Sequence, residues 1–300
     1  MSSLLPVRRS ANRPTLALLG ITAVWGSTFV VVKHAVDRMP VTDFLTWRFA
    51  LAALAMLLLR PRSVARLGAP GRRVGLLLGL ALGAGYLLQT LGLQTTSAAV
   101  SGFVTGMFVV LTPLGAAVLL RQPPGRAAWG AVVLATVGLA LLSLHGFSVG
   151  TGELLTLGCA AAFALHIVGL GRFAASYDPF GLAVVQLLGV AAMCALVAVP
   201  GGLALPPDAG VWAALALTSL AATALAFVVQ TWAQAHLSPT RAAVVMTMEP
   251  VFGLVFAVGL AGESLGPRTA VGALLVLGAM VLTEVGPRSG AEGATERLEI

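Results

Sequence analysis

Between Val74 and Leu120 lie 47 consecutive residues without a charged side chain. About 20 helical residues already cover a hydrocarbon core of about 30 Å, so this window is too long for one bilayer crossing. The polar break Gln94-Thr95-Thr96-Ser97 divides it into two helices joined by a very short turn. The same pattern recurs along the whole chain. The sequence therefore predicts an all-α polytopic membrane protein of about ten transmembrane helices, whose backbone hydrogen bonds are satisfied inside helices.

Composition agrees, because 58% of the residues are hydrophobic and only 10% are charged, where a soluble domain carries about 25% charged residues. The longest polar stretches are the N-terminus up to Arg13 and a tail after Glu284. The net charge of +7 comes from basic residues scattered between apolar spans, which points to membrane topology and away from nucleic acid. Cys159 and Cys194 both fall within predicted spans, and neither a disulfide framework nor a zinc-ligand spacing is present. The chain has no H-E-x-x-H, no nucleophile elbow and no P-loop, so no enzyme, metal or cofactor is indicated. Any pumping must then draw on a gradient or on a partner.

Charges, prolines and glycines punctuate ten apolar spans: 14–34, 43–60, 73–93, 98–120, 127–144, 153–172, 180–199, 211–233, 239–260 and 268–285. The first follows Arg8, Arg9 and Arg13 as a signal peptide would, but its apolar run is too long and lacks a small-residue cleavage site. It is an uncleaved first helix. With the N-terminus inside, fourteen arginines fall in inside segments, whereas only Lys33, Arg38 and Arg268 fall outside. That bias places both termini in the cytoplasm. Arginine's dominance over lysine and the abundance of Ala and Gly suggest a GC-rich bacterial genome, hence the plasma (inner) membrane.

The chain halves near residues 146–150. A gapless shift of 141 residues sets Gln89-Thr90 on Gln230-Thr231, Ser97 on Ser238, Gln122 on Glu263 and Gly125 on Gly266. The first helices align with Gly20 over Gly158 and Trp25 over Phe163. The intramembrane prolines Pro113 and Pro250 miss each other by four residues, about one turn, so each is expected to break its helix on a similar face. Five spans per half is an odd number, so the second half enters from the opposite side. The expected architecture is two inverted five-helix repeats, 14–144 and 150–285, with a polar tail at 286–300. Transporters built this way bind solute near the midplane between the repeats.

The stretch Trp25-Gly26-Ser27-Thr28-Phe29-Val30-Val31-Val32-Lys33 resembles the first-helix signature of the EamA family in the drug/metabolite transporter superfamily. The run from Gly92 to Pro113 resembles that family's third-to-fourth helix segment. Leu237-Ser238-Pro239-Thr240-Arg241, then Met248-Glu249-Pro250-Val251-Phe252 and Gly262-Glu263, resemble its second half. The likeness runs from about Leu16 to Glu284. Arg121-Gln122-Pro123 departs from it, since the first repeat often carries an acidic residue there. The resemblance implies a ten-helix permease, an exporter of small metabolites such as amino acids or related amines. Other readings of the residues are an intramembrane lipid-modifying enzyme and a non-transporting membrane scaffold or sensor. An enzyme needs a polar cluster on one membrane side, whereas the polar residues here are dispersed near mid-depth.

Glu249 stands out among the candidate substrate-binding or coupling residues. It falls mid-span, where a charge costs roughly 2.5–3.5 kcal/mol, so it is expected to face a pathway or a partner. Arg48 could pair with it or with an anionic group of the substrate. His166 could relay a proton or bind substrate. The resemblance turns Trp25, Ser27 and Thr28 toward the cavity. Tyr86, Gln89, Gln186, Gln230 and Trp232 are further polar or amphipathic residues within spans, where interhelical hydrogen bonding is the competing role. Gly75, Gly79 and Gly83, and Gly102 with Gly106, are spaced by four and suit close helix packing, within the bundle or in a homodimer. The expected partners are thus a small-molecule substrate and the lipid bilayer, without nucleic acid.

Overall fold

The computed structural model describes residues 12–96, 98–143, 150–261 and 266–285. Ser97, Glu263 and the tail at 286–300 lie outside the described residues. The chain forms α1 (Asn12–Val36), α2 (Val41–Leu59), the one-turn α3 (Ser63–Arg66), α4 (Gly68–Gly92), α5 (Ala98–Gly106), α6 (Phe108–Leu119) and α7 (Arg126–Ser143). The second half supplies α8 (Thr151–Phe173), α9 (Pro179–Ala198), α10 (Ala209–Ser219), α11 (Ala226–Gln234), α12 (Pro239–Met246), α13 (Glu249–Ala261) and α14 (Pro267–Val285). A π-helical stretch, Leu220–Leu225, joins α10 to α11. Grouped as rods, with α5–α6, α10–α11 and α12–α13 each forming one, these helices give the ten expected spans. Among the described residues, six of them are long and apolar enough to cross a membrane, and two shorter apolar helices lie at 126–141 and 267–282.

Local chemistry sets where several helices start. Asp178 accepts the Gly181 amide at 2.7 Å ahead of α9, and Pro179 fills the first turn, where a missing N–H costs nothing. Asp208 accepts from Gly210 and Val211 at the head of α10. Ser238 caps α12 in the same way, again followed by proline. Glu153 reaches back to the Gly150 amide at 2.8 Å and ties down the start of α8.

The halves repeat each other down to single hydrogen bonds. The Met107 amide skips to the Val104 carbonyl, and the Met248 amide skips to Val245, both at 3.1 Å. Leu111 and Phe252 then resume the helix by donating to Met107 and Met248. Each of these residues maps onto its counterpart by the shift of 141. The fourth and ninth rods are therefore broken in one register, between α5 and α6 and between α12 and α13. This corrects the expectation for Pro113, which does not sit at the first break, whereas the second break falls directly before Pro250, the second residue of α13. Helix α6 runs straight through Pro113, and the counterpart of Pro250 is Val109. Gly106 and Thr247, which are equivalent and both poor helix formers, precede the broken turns.

Helix pairings obey the same twofold relation. Helix α2 packs on its counterpart α9, and α7 on its counterpart α14. The contact of α4 with α8 is matched by that of α11 with α1, and that of α5–α6 with α8 by that of α12–α13 with α1. An inverted repeat about an axis in the membrane plane produces this pattern. Gly75, Gly79 and Gly83 let α4 approach α9 inside the bundle. A β-carbon at Gly79 would stand 2.6 Å from the Gln186 carbonyl oxygen. Gly106 is similarly tight against Leu139, but Gly102 has nothing within 4 Å and makes no close contact within the bundle.

Candidate functional site

A cavity of about 680 Å³ opens at the centre of the bundle, and its walls come from both halves as equivalent pairs. Trp25 with Phe163, and Thr28 with His166, are related by a shift of 138. Tyr86 with Phe227, Gln89 with Gln230, Thr105 with Met246, and Phe108 with Glu249 are related by 141. All twelve line the cavity. Tyr86 and Phe227 meet across the twofold with ring centroids 6.3 Å apart. Phe163 packs on Tyr86 at 5.5 Å and Trp25 on Phe227 at 5.9 Å, so four aromatic side chains form one connected wall. Gln89 Nε2 donates to Thr105 Oγ1 at 3.2 Å, while its counterpart Gln230 Nε2 donates to Met246 Sδ at 3.6 Å.

Two charges break this symmetry. Arg48, on α2, occupies the position equivalent to Gln186 under the shift of 138. It is buried, and its Nε donates to Thr223 Oγ1 at 2.8 Å. Its Nη2 reaches the Ala222 carbonyl at 3.4 Å, which also accepts Trp25 Nε1 at 2.8 Å. Ala222 and Thr223 sit in the π-helical stretch, whose widened turn aims these oxygens sideways into the bundle. The guanidinium carbon lies 5.4 Å from the Tyr86 ring centroid, in cation–π range. Glu249 occupies the position equivalent to Phe108 and begins α13. It is half-buried, exposed only into the cavity it lines. No ion pair joins Arg48 and Glu249. Both side chains line the same cavity.

His166 Nε2 lies 2.7 Å from Gln186 Oε1, and Gln186 Nε2 donates to the Leu182 carbonyl at 3.2 Å. Since the amide nitrogen is committed to a carbonyl, its oxygen faces the imidazole, and His166 Nε2 carries the proton. Gln230 Nε2 also donates to Gln234 Oε1 at 3.0 Å, and Gln234 Nε2 donates to the Ile167 carbonyl at 3.2 Å. This chain closes the cavity between α8, α11 and α12. It leaves Gln230 Oε1 as a buried acceptor with no partner among the described residues. At the other end the lining runs out to the exposed Asp37 and Gln94 and to Thr96, which form the mouth. Thr96 Oγ1 donates to Glu153 Oε1 at 2.5 Å and fastens the mouth to α8.

The structure thus gathers Glu249, His166, Arg48, Trp25, Thr28, Tyr86, Gln89 and Gln230 around one cavity. Ser27 and Trp232 are placed elsewhere. Ser27 is exposed on the outer face of α1 and bonds back to the Val24 carbonyl at 2.7 Å. Trp232 is half-buried, packed into a core cluster and against His236, with ring centroids 5.3 Å apart. Gln186 holds His166 from behind the wall. Phe163, Phe227, Phe108 and Met246 escape a search for polar residues, and the hydroxyl of Thr105 is not among the candidates from sequence, yet the repeat register pairs each with a residue that lines the cavity. Both cysteines are buried and free.

Comparisons with known proteins agree with this architecture. The model of the EamA-like transporter family matches residues 13–144 and again 150–285. An uncharacterised transporter of Archaeoglobus fulgidus is 32% identical over 271 residues, covering 90% of this chain and 85% of the relative. The threonine/homoserine exporter RhtA of Escherichia coli is 30% identical over 214 residues, 69% of this chain and 68% of that protein. A solved crystal structure superposes with a TM-score of 0.76 over 92% of this chain and 97% of its own, at 19% identity, and so shares the fold. Two family matches, one on each five-helix half, a transporter relative spanning most of the chain and a central cavity between the halves converge: the chain belongs to the EamA-like transporter family.

Proposed function

We propose that this protein is a secondary exporter of small zwitterionic metabolites, amino acids or related amines, across the bacterial plasma membrane, with both termini in the cytoplasm. The observation that carries this reading is the placement of two ionisable groups of opposite sign, Arg48 and Glu249, without a direct ion pair between them, in one otherwise pseudo-symmetric cavity. A solute with an anionic and a cationic end satisfies both. Arg48 would take the anionic end with its remaining N–H groups, already fixed in orientation by Thr223 and Ala222. Glu249, with Gln230 Oε1 as a neutral acceptor, would take the ammonium. The aromatic wall would cover the apolar part of the solute. That RhtA is named a threonine/homoserine exporter supports the same substrate class.

With the N-terminus inside, the mouth at Asp37, Gln94 and Thr96 faces outward, and the glutamine chain closes the cytoplasmic side. The arrangement is an outward-open state of an alternating-access carrier. Glu249 can exchange its bound proton for the substrate ammonium, which couples export to a proton gradient without nucleotide. Proteoliposomes loaded with a panel of labelled amino acids and amines test this. Efflux of at least one zwitterion, accelerated by an inward proton gradient, is expected. Efflux confined to neutral sugars or to organic anions would overturn the assignment.

A further inference from the structure

The end of the bundle opposite the mouth carries a second recess, where α6 and α8 finish. It is lined by Val118, Leu119, Arg121, Gln122 and Arg172, together with Leu120 and Gly171. Arg121 is the one non-glycine residue with positive φ among the described residues, at 56°. A β-carbon is disfavoured in that left-handed conformation. The Gln122 amide, bonded to the Ala116 carbonyl at 3.2 Å, holds the turn in place. Arg172 extends from the end of α8 with its guanidinium carbon 5.3 Å from the Phe173 ring centroid.

Neither arginine has an ion-pair partner among the described residues, and no carboxylate lines the recess. Directly before Arg121, Val118 and Leu119 are 78% and 60% exposed on the apolar outer surface of α6. A purely topogenic charge requires neither a strained backbone nor a recess. Two arginines lining one recess at the end of an apolar strip match an anion attached to a hydrocarbon chain. We propose that this recess binds the phosphate of an anionic phospholipid, gripped by Arg121 and Arg172, with its first acyl segments along Val118 and Leu119. The proposal is independent of what the central cavity carries.

Thermal unfolding of the purified full-length protein in detergent tests it. Phosphatidylglycerol, phosphatidylcholine with the same acyl chains, and inorganic phosphate are titrated separately. Phosphatidylglycerol is expected to raise the midpoint by several degrees, while phosphatidylcholine and free phosphate leave it in place. Arg121→Gly fits the positive φ and so preserves the fold. Combined with Arg172→Gln, it should abolish most of the rise. Arg72→Gln with Arg73→Gln, at exposed positions on the same end of the bundle, should retain it. An equal rise in all three proteins, or loss in the Arg72/Arg73 variant as well, would reduce the effect to bulk surface charge and overturn the site. A rise with inorganic phosphate as large as that with phosphatidylglycerol would replace the lipid by a soluble phosphate.

Discussion

Gly26 rests directly on the backbone of Glu249. A β-carbon at Gly26 would stand 2.7 Å from the Glu249 carbonyl oxygen and 2.8 Å from the Gly253 nitrogen. Both atoms belong to the backbone and cannot rotate away, so the glycine of the first-helix signature sets how closely α1 approaches the start of α13. Gly26→Ala must push the two helices apart, at a cost of about 1–3 kcal/mol by analogy with overpacked cores. It should lower the unfolding temperature and strongly reduce flux. Gly253→Ala is the control, because its β-carbon would meet the Gly26 oxygen at an ordinary 3.7 Å. That variant should unfold and transport like the parent.

Arg48 combines a charge with a fixed plane. Arg48→Lys keeps the charge but removes the fork that bonds Thr223 and lies over Tyr86. In proteoliposomes the KM should rise about tenfold, equivalent to about 1.4 kcal/mol, while expression and the maximum rate change little. An unaltered KM would place the substrate's anionic end elsewhere.

Topology follows from the arginine bias. Reporter fusions after Leu67 and Pro124 and at the C-terminus should report cytoplasm, and fusions after Met39 and Pro207 the exterior. A C-terminus found outside would contradict the orientation assigned to the cavity mouth.

Asp208 caps α10 and pairs with Arg38, clamping the 202–208 loop to the end of α1. Partial desolvation pushes its carboxyl up, but the amides of Val211 and Gly210 and the Arg38 charge outweigh this and hold it below the usual range. A depressed carboxyl stabilises the folded state above its unfolded pKa of about 3.9 and loses that contribution as pH falls. Asp208→Asn should therefore lower the unfolding temperature slightly at neutral pH. The difference from the parent should vanish on acidification below that value, as pH falls through the lower folded-state pKa.

Much of the fold was legible because a bilayer leaves few options. Charge-free windows of the right length gave ten rods, and the odd number per half gave the inversion. The repeat register aligned Phe163 with Trp25 as counterparts, but its use for finding cavity walls needed the structure. Phe227 and Phe108 carry no polar signal, and only their equivalence to Tyr86 and Glu249 marks them. Ser27 misled because a helix has an outer face too, where a hydroxyl bonds back to its own backbone, and Trp232 because an amphipathic ring in a span can pack into the core away from the cavity. The helix breaks at Met107 and Met248 were hidden for a different reason. Proline is the conspicuous breaker and Pro250 does follow the second break, but Pro113 lies inside α6, and the register shared by both breaks falls after a glycine and a threonine. The π-helical stretch that orients Arg48 leaves no sequence mark at all.

The central assignment is that Glu249 exchanges a proton for solute inside the cavity. Glu249→Gln keeps the shape and hydrogen-bonding capacity of the side chain but cannot ionise. The decisive measurement is substrate efflux from proteoliposomes across a range of pH, comparing the parent with this variant at matched reconstitution. The parent's flux should vary with pH and respond to an imposed proton gradient, and the variant's should do neither. A folded, active Gln variant that retains the parent's pH dependence would show that Glu249 is not the coupling group.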